Sequence, residues 1–238
     1  VLPELSEPGN IVINELMFNP LEGGQDYIEC FNLSDKNIDL YGWTLARVKD
    51  NQLDDANTIQ EHFILKSKEY VVLSSDTSFI AENYPKSKGG NFIEMSLPAM
   101  NIDSNTIVLS TPDFRMDQVA YQSDWHLKLL TDDKGKALER IDPVGASNSS
   151  FNWRTAAESE LFGTPTYKNS QAISAVESNQ KFSIVYETIT PNNDGLTDYL
   201  ELNYKLEEGG LLATFSIFDQ SGNLIQTIFQ NELLATEG

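Results

Sequence analysis

Three carboxylates stand in or beside strand-like stretches near the N-terminus, where burial would give them unusual chemistry. Glu15 lies in the run 11–18, Asp26 begins the run 26–32, and Glu29 lies within that second run. One interpretation is that they point to solvent, as most strand carboxylates do. The other is that two of them lie side by side on neighbouring strands and hold backbone amides or a cation. A calcium-dependent hydrolase would need all three to converge in a cleft with raised proton affinity.

A second group of oxygen ligands lies near the C-terminus, in the loop PNNDGLTDYLE. Alternate positions in such a loop point inward, and its glycine permits a sharp bend. The candidate ligands are Asn192, Asp194, the carbonyl of Leu196 and Asp198. Hard oxygen ligands in a flexible loop suit Ca²⁺, although the helices and the bidentate glutamate of an EF-hand are absent. The alternative is an Asx-turn hairpin, in which Asn192 and Asp194 bond their own backbone.

The remaining reactive residues give little support to catalysis. With only His62 and His126 in the chain, a zinc site or a Ser-His-Asp triad has few residues to use. Glu139 and Arg140 are adjacent in a predicted strand, so they point to opposite faces and cannot act on one point. Cys30 is the single cysteine, which excludes an intramolecular disulfide and favours a buried thiol. The sequence therefore predicts that the chain is not an enzyme.

The charge balance restricts the partners further. The chain of 238 residues has 16 Lys+Arg against 36 Asp+Glu, a formal net charge of −20. Such a surface repels phosphate backbones, and the sequence has no basic cluster to offset this, so no nucleic-acid partner is expected. No apolar run is long enough to span a bilayer, so no membrane insertion is expected. The first ten residues lack a Met and have the character of a processed end.

The elements around the carboxylates are predicted to be strands. Turn-forming clusters separate the runs 11–18, 26–32 and 38–45. Strict alternation would put Glu15 on the same face of the first strand as Ile11 and Ile13. It would put Tyr27, Glu29 and Phe31 on one face of the second strand. Residues 46–60 are predicted to be a long loop or ragged hairpin. One helix is predicted over 74–84, capped by Ser75 or Asp76 and ended by Pro85. Further strands are predicted at 63–65, 70–73, 92–95, 106–110 and 116–121.

The motifs of residues 10–123 resemble the lamin-tail domain, which also occurs in secreted bacterial proteins. The resemblance is carried by Ile13, Asn14, Glu15, Asp26, Tyr27, Ile28, Glu29, Asn32, Asp39, Leu40, Gly42, Trp43 and Leu45, and at the end by Asp113, Asp117, Val119 and Tyr121. Cys30 stands where leucine is usual. The resemblance implies an all-β, immunoglobulin-like β-sandwich with one short helix. It implies a fold and not a reaction.

Residues 124–171 are similar to a tail that often follows lamin-tail domains in bacterial secreted proteins. The matching residues are Leu138, Glu139, Arg140, Asn152, Trp153, Gly163, Thr164, Pro165 and Asn169. This segment has too few apolar residues to fold alone. We therefore expect Phe151, Trp153, Phe162 and Tyr167 to pack it onto the sandwich, where it would cover an exposed sheet edge.

The C-terminal part is predicted to be a separate module. Residues 1–171 form the first domain, 172–180 a linker, and 181–238 a smaller β module. The last segment resembles the start of a FlgD-type immunoglobulin-like module, and it falls short of the roughly 100 residues of a complete sandwich. The resemblance is carried by Thr190, Pro191, Asn192, Asp194, Gly195 and Asp198, then Ile217, Phe218, Asp219 and Gly222.

These resemblances imply a non-catalytic adhesion or anchoring module of a secreted or cell-surface bacterial multidomain protein. Its partner would be a protein or a glycan, bound through surface shape and edge strands. The alternative is an accessory domain of a secreted nuclease or phosphatase. The expected location, outside the cell or on its surface, follows from the resemblance alone.

Overall fold

The computed structural model describes residues 2–87, 89, 91–127, 130, 132–172, 181–184, 189–191, 198–206, 209–218 and 224–238. The chain divides into two compact units, Val1–Ile173 and Ser174–Gly238. Each unit is mostly β-structure. The described residues contain no helix that is both long and apolar enough to cross a bilayer.

The first unit is an immunoglobulin-like β-sandwich with one short α-helix. Its elements are β1 (Ile11–Met17), β2 (Tyr27–Asn32), β3 (Ile38–Asp39), β4 (Thr44–Lys49), β5 (Gln52–Thr58), β6 (Ile64–Leu65), β7 (Tyr70–Ser74), α1 (Thr77–Asn83), β8 (Phe92–Glu94), β9 (Ser104–Ser110), β10 (Arg115–Gln122), β11 (Leu138–Arg140) and β12 (Trp153–Thr155). One described sheet has the order β12-β11-β1-β2-β7-β8, a second has the order β10-β9-β4-β5, and β3 pairs with β6. The predicted fold class is confirmed.

The core fills the space between the two sheets, where apolar side chains meet. Its fully or almost fully buried members include Ile11, Ile13, Leu16, Ile28, Leu45, Leu65, Val71, Ile107, Val119, Tyr121, Leu138 and Trp153. Burying one such side chain contributes about 1.5–3 kcal/mol. Because Leu138 and Trp153 belong to the same cluster, the segment after residue 123 shares the core of the sandwich.

A β-bulge at Asn14 reverses the faces of β1. The pairing with β2 shifts between Ile13 and Glu15, so two residues of one strand oppose one residue of the other. Ile13 and Leu16 therefore both lie in the core between the sheets. Glu15 instead lies on the opposite face, beside Met17. The predicted grouping of Glu15 with Ile13 is wrong, because strict alternation allows for no extra residue.

Two local predictions are refined. Of the two forms predicted for residues 46–60, a long loop or a ragged hairpin, the structure shows the hairpin β4–β5, whose pairing shifts between Leu45 and Arg47. In it, Arg47 binds Asp54 through two hydrogen bonds of 2.8 and 3.0 Å. Helix α1 is shorter than the predicted 74–84, because Ser74 still belongs to β7. Its N-cap is Asp76, whose carboxylate accepts a 2.9 Å hydrogen bond from the Phe79 amide.

The segment after residue 123 extends the first sheet. Strand β11 pairs with the free edge of β1, and β12 pairs with β11. The predicted covering of a sheet edge thus takes the form of two added strands, in which Trp153 is fully buried. Phe162 and Tyr167 are half-buried, whereas the side chain of Phe151 lies outside the described residues.

The second unit contains two antiparallel pairs of strands in its described part. Strand β13 (Lys181–Ile184) pairs with β14 (Leu202–Lys205), and β15 (Leu211–Phe218) pairs with β16 (Leu224–Leu234). The sequence predicts strands at 181–187, 198–206, 211–218 and 224–229, and each described strand lies in or overlaps one of these stretches. Strand β14 is shorter than its predicted stretch and β16 is longer, whereas residues 185–187 lie outside the described residues.

Candidate functional site: a row of buried glutamates

Three glutamates lie side by side on adjacent strands of the six-stranded sheet. Glu15 on β1 is directly opposite Glu139 on β11 and Glu29 on β2. All three are completely buried. We call Glu15, Glu29 and Glu139 the glutamate row. It lies on the face of the sheet that points away from the sandwich core, and residues 163–171 cover it.

Glu15 holds the start of the covering segment. The backbone N–H of Thr164 donates to its two carboxyl oxygens at 3.0 and 3.2 Å, and the Thr164 Oγ1 contacts Oε2 at 2.9 Å. On the sheet itself, the hydroxyl of Tyr27 donates to Oε1 at 2.6 Å. Hydrogen bonds from several donors offset the free-energy cost of burying a carboxyl group.

Glu139 holds the other end of the same segment. Its Oε2 accepts hydrogen bonds from the Ser170 hydroxyl and from the Gln171 backbone N–H, each at 2.8 Å. Its Oε1 lies 2.7 Å from the Oγ1 of Thr164. The covering segment is therefore attached at both ends to neighbouring carboxyl groups.

Glu29 and two asparagines fix the middle of the segment. The Glu29 Oε2 accepts from the Thr166 N–H at 2.5 Å, and its Oε1 accepts from the Asn14 amide at 2.8 Å. Thr166 has a φ of 73°, a left-handed conformation that is rare for a β-branched residue. The Asn169 amide nitrogen donates to the carbonyls of Asn14 and Arg140, at 3.0 and 2.9 Å. Every carboxyl oxygen of the row thus accepts at least one hydrogen bond.

Burial changes the acidity of the row. The pKa of Glu15 is raised from 4.5 to about 8, mainly by burial and secondly by the charge of Glu139, against the opposing effect of the Tyr27 and Thr164 hydrogen bonds. Burial also raises the pKa of Glu29 well above its ordinary value, with a second contribution from Glu15. Like charges on neighbouring strands cannot all ionise without a large cost.

The hydroxyl of Thr164 lies between two carboxyl groups. Its Oγ1 is within hydrogen-bond distance of both Glu15 Oε2 and Glu139 Oε1, yet a hydroxyl carries one hydrogen. Two hydrogen bonds are satisfied when Thr164 donates to one carboxyl group and accepts from the other in its protonated form. The raised pKa of Glu15 favours Glu15 as the protonated member.

The opposite face of β11 carries a buried ion pair. The Arg140 guanidinium lies 3.0 Å from the Asp117 carboxylate, and it also donates to the carbonyl of Ile13 at 3.1 Å. Asp117 accepts the Ile13 N–H at 2.8 Å. The backbone groups that the bulge releases from the β-ladder are thus satisfied. The predicted separation of Glu139 from Arg140 on opposite faces is confirmed.

The structure brings together two of the three predicted carboxylates. Glu15 and Glu29 are adjacent and hold backbone amides, which confirms the second interpretation and excludes solvent exposure. Asp26 is half-buried just before β2, where burial raises its pKa to about 6, and it does not join the row. Glu139 takes the third place. Its apolar neighbours Leu138 and Ile141 could have indicated burial, but its pairing with β1 could not be derived from the sequence.

The row does not form a metal site. Among the described residues, no group of three or more His, Cys, Asp or Glu side chains is arranged to hold a metal ion. The predicted calcium loop cannot be compared with the structure, because Asn192, Asp194 and Leu196 lie outside the described residues and Asp198 alone is described. The carboxyl groups of the row accept hydrogen bonds from amides and hydroxyls of the chain itself.

Comparison with known proteins supports the fold assignment. The family model described as Lamin Tail Domain matches residues 4–123. This range includes Glu15, Glu29 and Asp117, whereas Glu139 and residues 163–171 follow it. No curated protein matches the chain. The family model matches half of the chain, and the first unit has the immunoglobulin-like sandwich. The chain therefore belongs to the lamin tail domain family.

Proposed function

We propose that this chain is a non-catalytic structural and binding module of a secreted or cell-surface bacterial protein. The observation that carries the proposal is the closed glutamate row. Glu15, Glu29 and Glu139 are fully buried under residues 163–171 and are engaged by the chain's own donors. Groups in this arrangement stabilise a fold and have no room for a substrate.

The attached segment makes the module resistant to local opening. Four of its hydrogen-bond donors to the row are the amides of Thr164, Thr166 and Gln171 and the hydroxyl of Ser170. An anchoring module outside the cell requires such resistance, because it meets proteases and mechanical load. The net charge of −20 supports a soluble exported chain with a protein or glycan partner. The residues 181–238 would serve as a second module of FlgD type.

Two measurements test this function. Cells that express the protein are treated with a membrane-impermeant biotin reagent, with a cytosolic protein as control. We expect labelling of intact cells, and labelling only after lysis would contradict the proposed location. The purified chain is also assayed against phosphodiester and phosphomonoester substrates with and without divalent cations. Turnover that disappears in Glu15→Gln would contradict a non-catalytic role.

A further inference from the structure

A cavity of about 360 Å³ opens on the first unit between helix α1 and the turn at residues 158–162. Its floor is buried and apolar, and consists of Met17, Tyr27, Ile80 and Tyr84. Phe79 and Phe162 form side walls. The size is at the lower end of the range for ligand sites, and it suits one large side chain better than an extended ligand. Both the family domain and the segment after it contribute walls.

Two leucines stand exposed at the mouth of this cavity. Leu21 is 52% exposed and Leu161 is 56% exposed, although both also line the cavity. Leu161 and Phe162 have consecutive positive φ values of 56° and 60°. This left-handed backbone is unfavourable for residues other than glycine, and such conformations concentrate at functional sites. The strained turn therefore places an exposed leucine at the mouth of an apolar cavity.

The surroundings of the cavity are acidic. Glu158 lines it, Glu22 follows Leu21, and Glu82 precedes a lining residue of α1; all three are exposed. In the part of the chain that the structure describes, none of these three forms an ion pair. Among the nearby lysines, Lys86 binds Glu160 at 2.7 Å, and Lys136 binds Asp132 at 3.3 Å and lies 5.2 Å from the centroid of the Phe162 ring. Lys134 is exposed next to the lining residue Gly135, so the acidic residues outnumber this exposed lysine at the rim.

We propose that this cavity binds a large apolar side chain of a partner protein, presented by a peptide segment with Lys or Arg beside it. An apolar anchor in a buried pocket supplies affinity, and complementary charge at the rim supplies orientation and association rate. The mainly apolar lining does not favour a glycan. A second copy of the chain is disfavoured because each copy has a net charge of −20. The inference rests on the proposed function and names the class of partner.

The experiment is selection of random peptides displayed on phage against the whole folded chain. The matched variants are Leu161→Asn, which removes the apolar rim in a backbone that asparagine tolerates, and Leu53→Asn, which changes an equally exposed leucine of β5. We expect enriched peptides to share one large apolar residue flanked by Lys or Arg. By fluorescence anisotropy, the synthetic consensus peptide should bind about tenfold or more weakly to Leu161→Asn and about as tightly to Leu53→Asn.

A charge reversal tests the contribution of the acidic rim to binding separately from that of the apolar pocket. Glu158→Lys should weaken binding of the consensus peptide about tenfold at low salt and less at high salt, whereas Glu61→Lys, at an exposed residue that does not line the cavity, should not. Equal enrichment on the wild-type chain and Leu161→Asn would overturn the proposal, as would enrichment of acidic peptides. A concentration-dependent dimer in sedimentation, lost in Leu161→Asn, would replace it with self-association. None of these outcomes affects the surface-labelling test of the proposed function.

Discussion

The backbone N–H of Thr164 donates to both carboxyl oxygens of Glu15, although 149 positions separate the two residues. One contact thus joins the first strand of the family domain to the segment that follows the domain. Because Glu15 has no exposed surface under this segment, removing the segment would leave a row of carboxyl groups on an uncovered sheet. We therefore expect the family domain, residues 4–123, to need the residues after it for its stability.

Raising the pH should destabilise the first unit. The pKa of Glu15 is about 8 in the folded protein and 4.5 as its ordinary value. Between these values the folded state holds a proton that the unfolded state has lost, so the free energy of unfolding falls as pH rises. The slope per proton is at most about 1.4 kcal/mol per pH unit. Urea denaturation from pH 5 to pH 8 measures it.

Glu15→Gln should remove much of this pH dependence. A glutamine amide can donate to Thr164 as the protonated glutamate does, so the variant should equal or exceed the wild type in stability at pH 8. The control is Glu61→Gln, which changes an exposed glutamate and should leave the slope unchanged. A stability of Glu15→Gln that falls with pH as steeply as that of the wild type would contradict the proton assignment.

Thr164→Val should destabilise the first unit by about 2 kcal/mol. The variant keeps the amide that binds Glu15 but removes the hydroxyl between two carboxyl groups. The loss should increase at higher pH, because no hydroxyl then separates Glu15 from Glu139 as Glu15 ionises. Thr58→Val, which removes an exposed hydroxyl whose described partner is the Thr44 hydroxyl at 2.9 Å, is the control in the same denaturation assay. A cost below the control would show that the hydroxyl is not a bridge.

Thr166 offers a direct test of one backbone donor. Thr166→Pro removes the N–H that binds Glu29 and cannot adopt a φ of 73°, so it should cost about 3 kcal/mol or more. Thr166→Asn keeps the N–H and tolerates the left-handed conformation, so it should cost no more than about 1 kcal/mol. Equal costs for the two variants, measured by thermal unfolding, would argue against the Glu29 contact.

Arg140 and Asp117 should be strongly coupled. Replacing either one alone leaves a buried charge, at a cost of about 3–5 kcal/mol, whereas the double variant Arg140→Met, Asp117→Asn should cost much less than the sum. A double-mutant cycle in urea gives the coupling energy. Additive effects would mean that the ion pair does not stabilise the bulge at Asn14.

The loop at 192–198 remains a predicted calcium site. If Asn192, Asp194 and Asp198 bind Ca²⁺, the melting temperature of the whole chain should rise at millimolar calcium and the rise should be lost in Asp194→Ala. Asp219→Ala changes an acidic residue outside this loop and is the control. The absence of a calcium-dependent rise in the wild type would support the Asx-turn alternative.

Local patterns were sufficient for much of the fold. The alternation in β2 places Ile28 in the core and Glu29 on the other face, and the Asp76 cap locates the start of α1. Both features depend on a few consecutive residues. The family motifs predicted the β-sandwich, because the resemblance that they carry implies that fold and its strand pairing.

The site depended on information that one sequence does not contain. The bulge at Asn14 becomes visible only when β1 pairs with β2, since an extra residue has no local signature. The contact of Glu15 with Thr164, and its pairing with Glu139, join segments more than 100 positions apart. In the sequence, Asp26 and Glu15 are both carboxylates of predicted strands. Only the pairing of the strands shows that Glu15 belongs to the glutamate row and that Asp26 does not.

Hydrogen exchange of the Thr164, Thr166 and Gln171 amides, followed by NMR, tests most directly whether the glutamate row holds residues 163–171 in place. If it does, these amides should be protected about as strongly as the core amide of Ile28, by at least about 10³-fold relative to an unfolded chain. Exchange of all three at the rate of exposed loop amides, with Ile28 still protected, would show that the segment opens independently and would contradict the account.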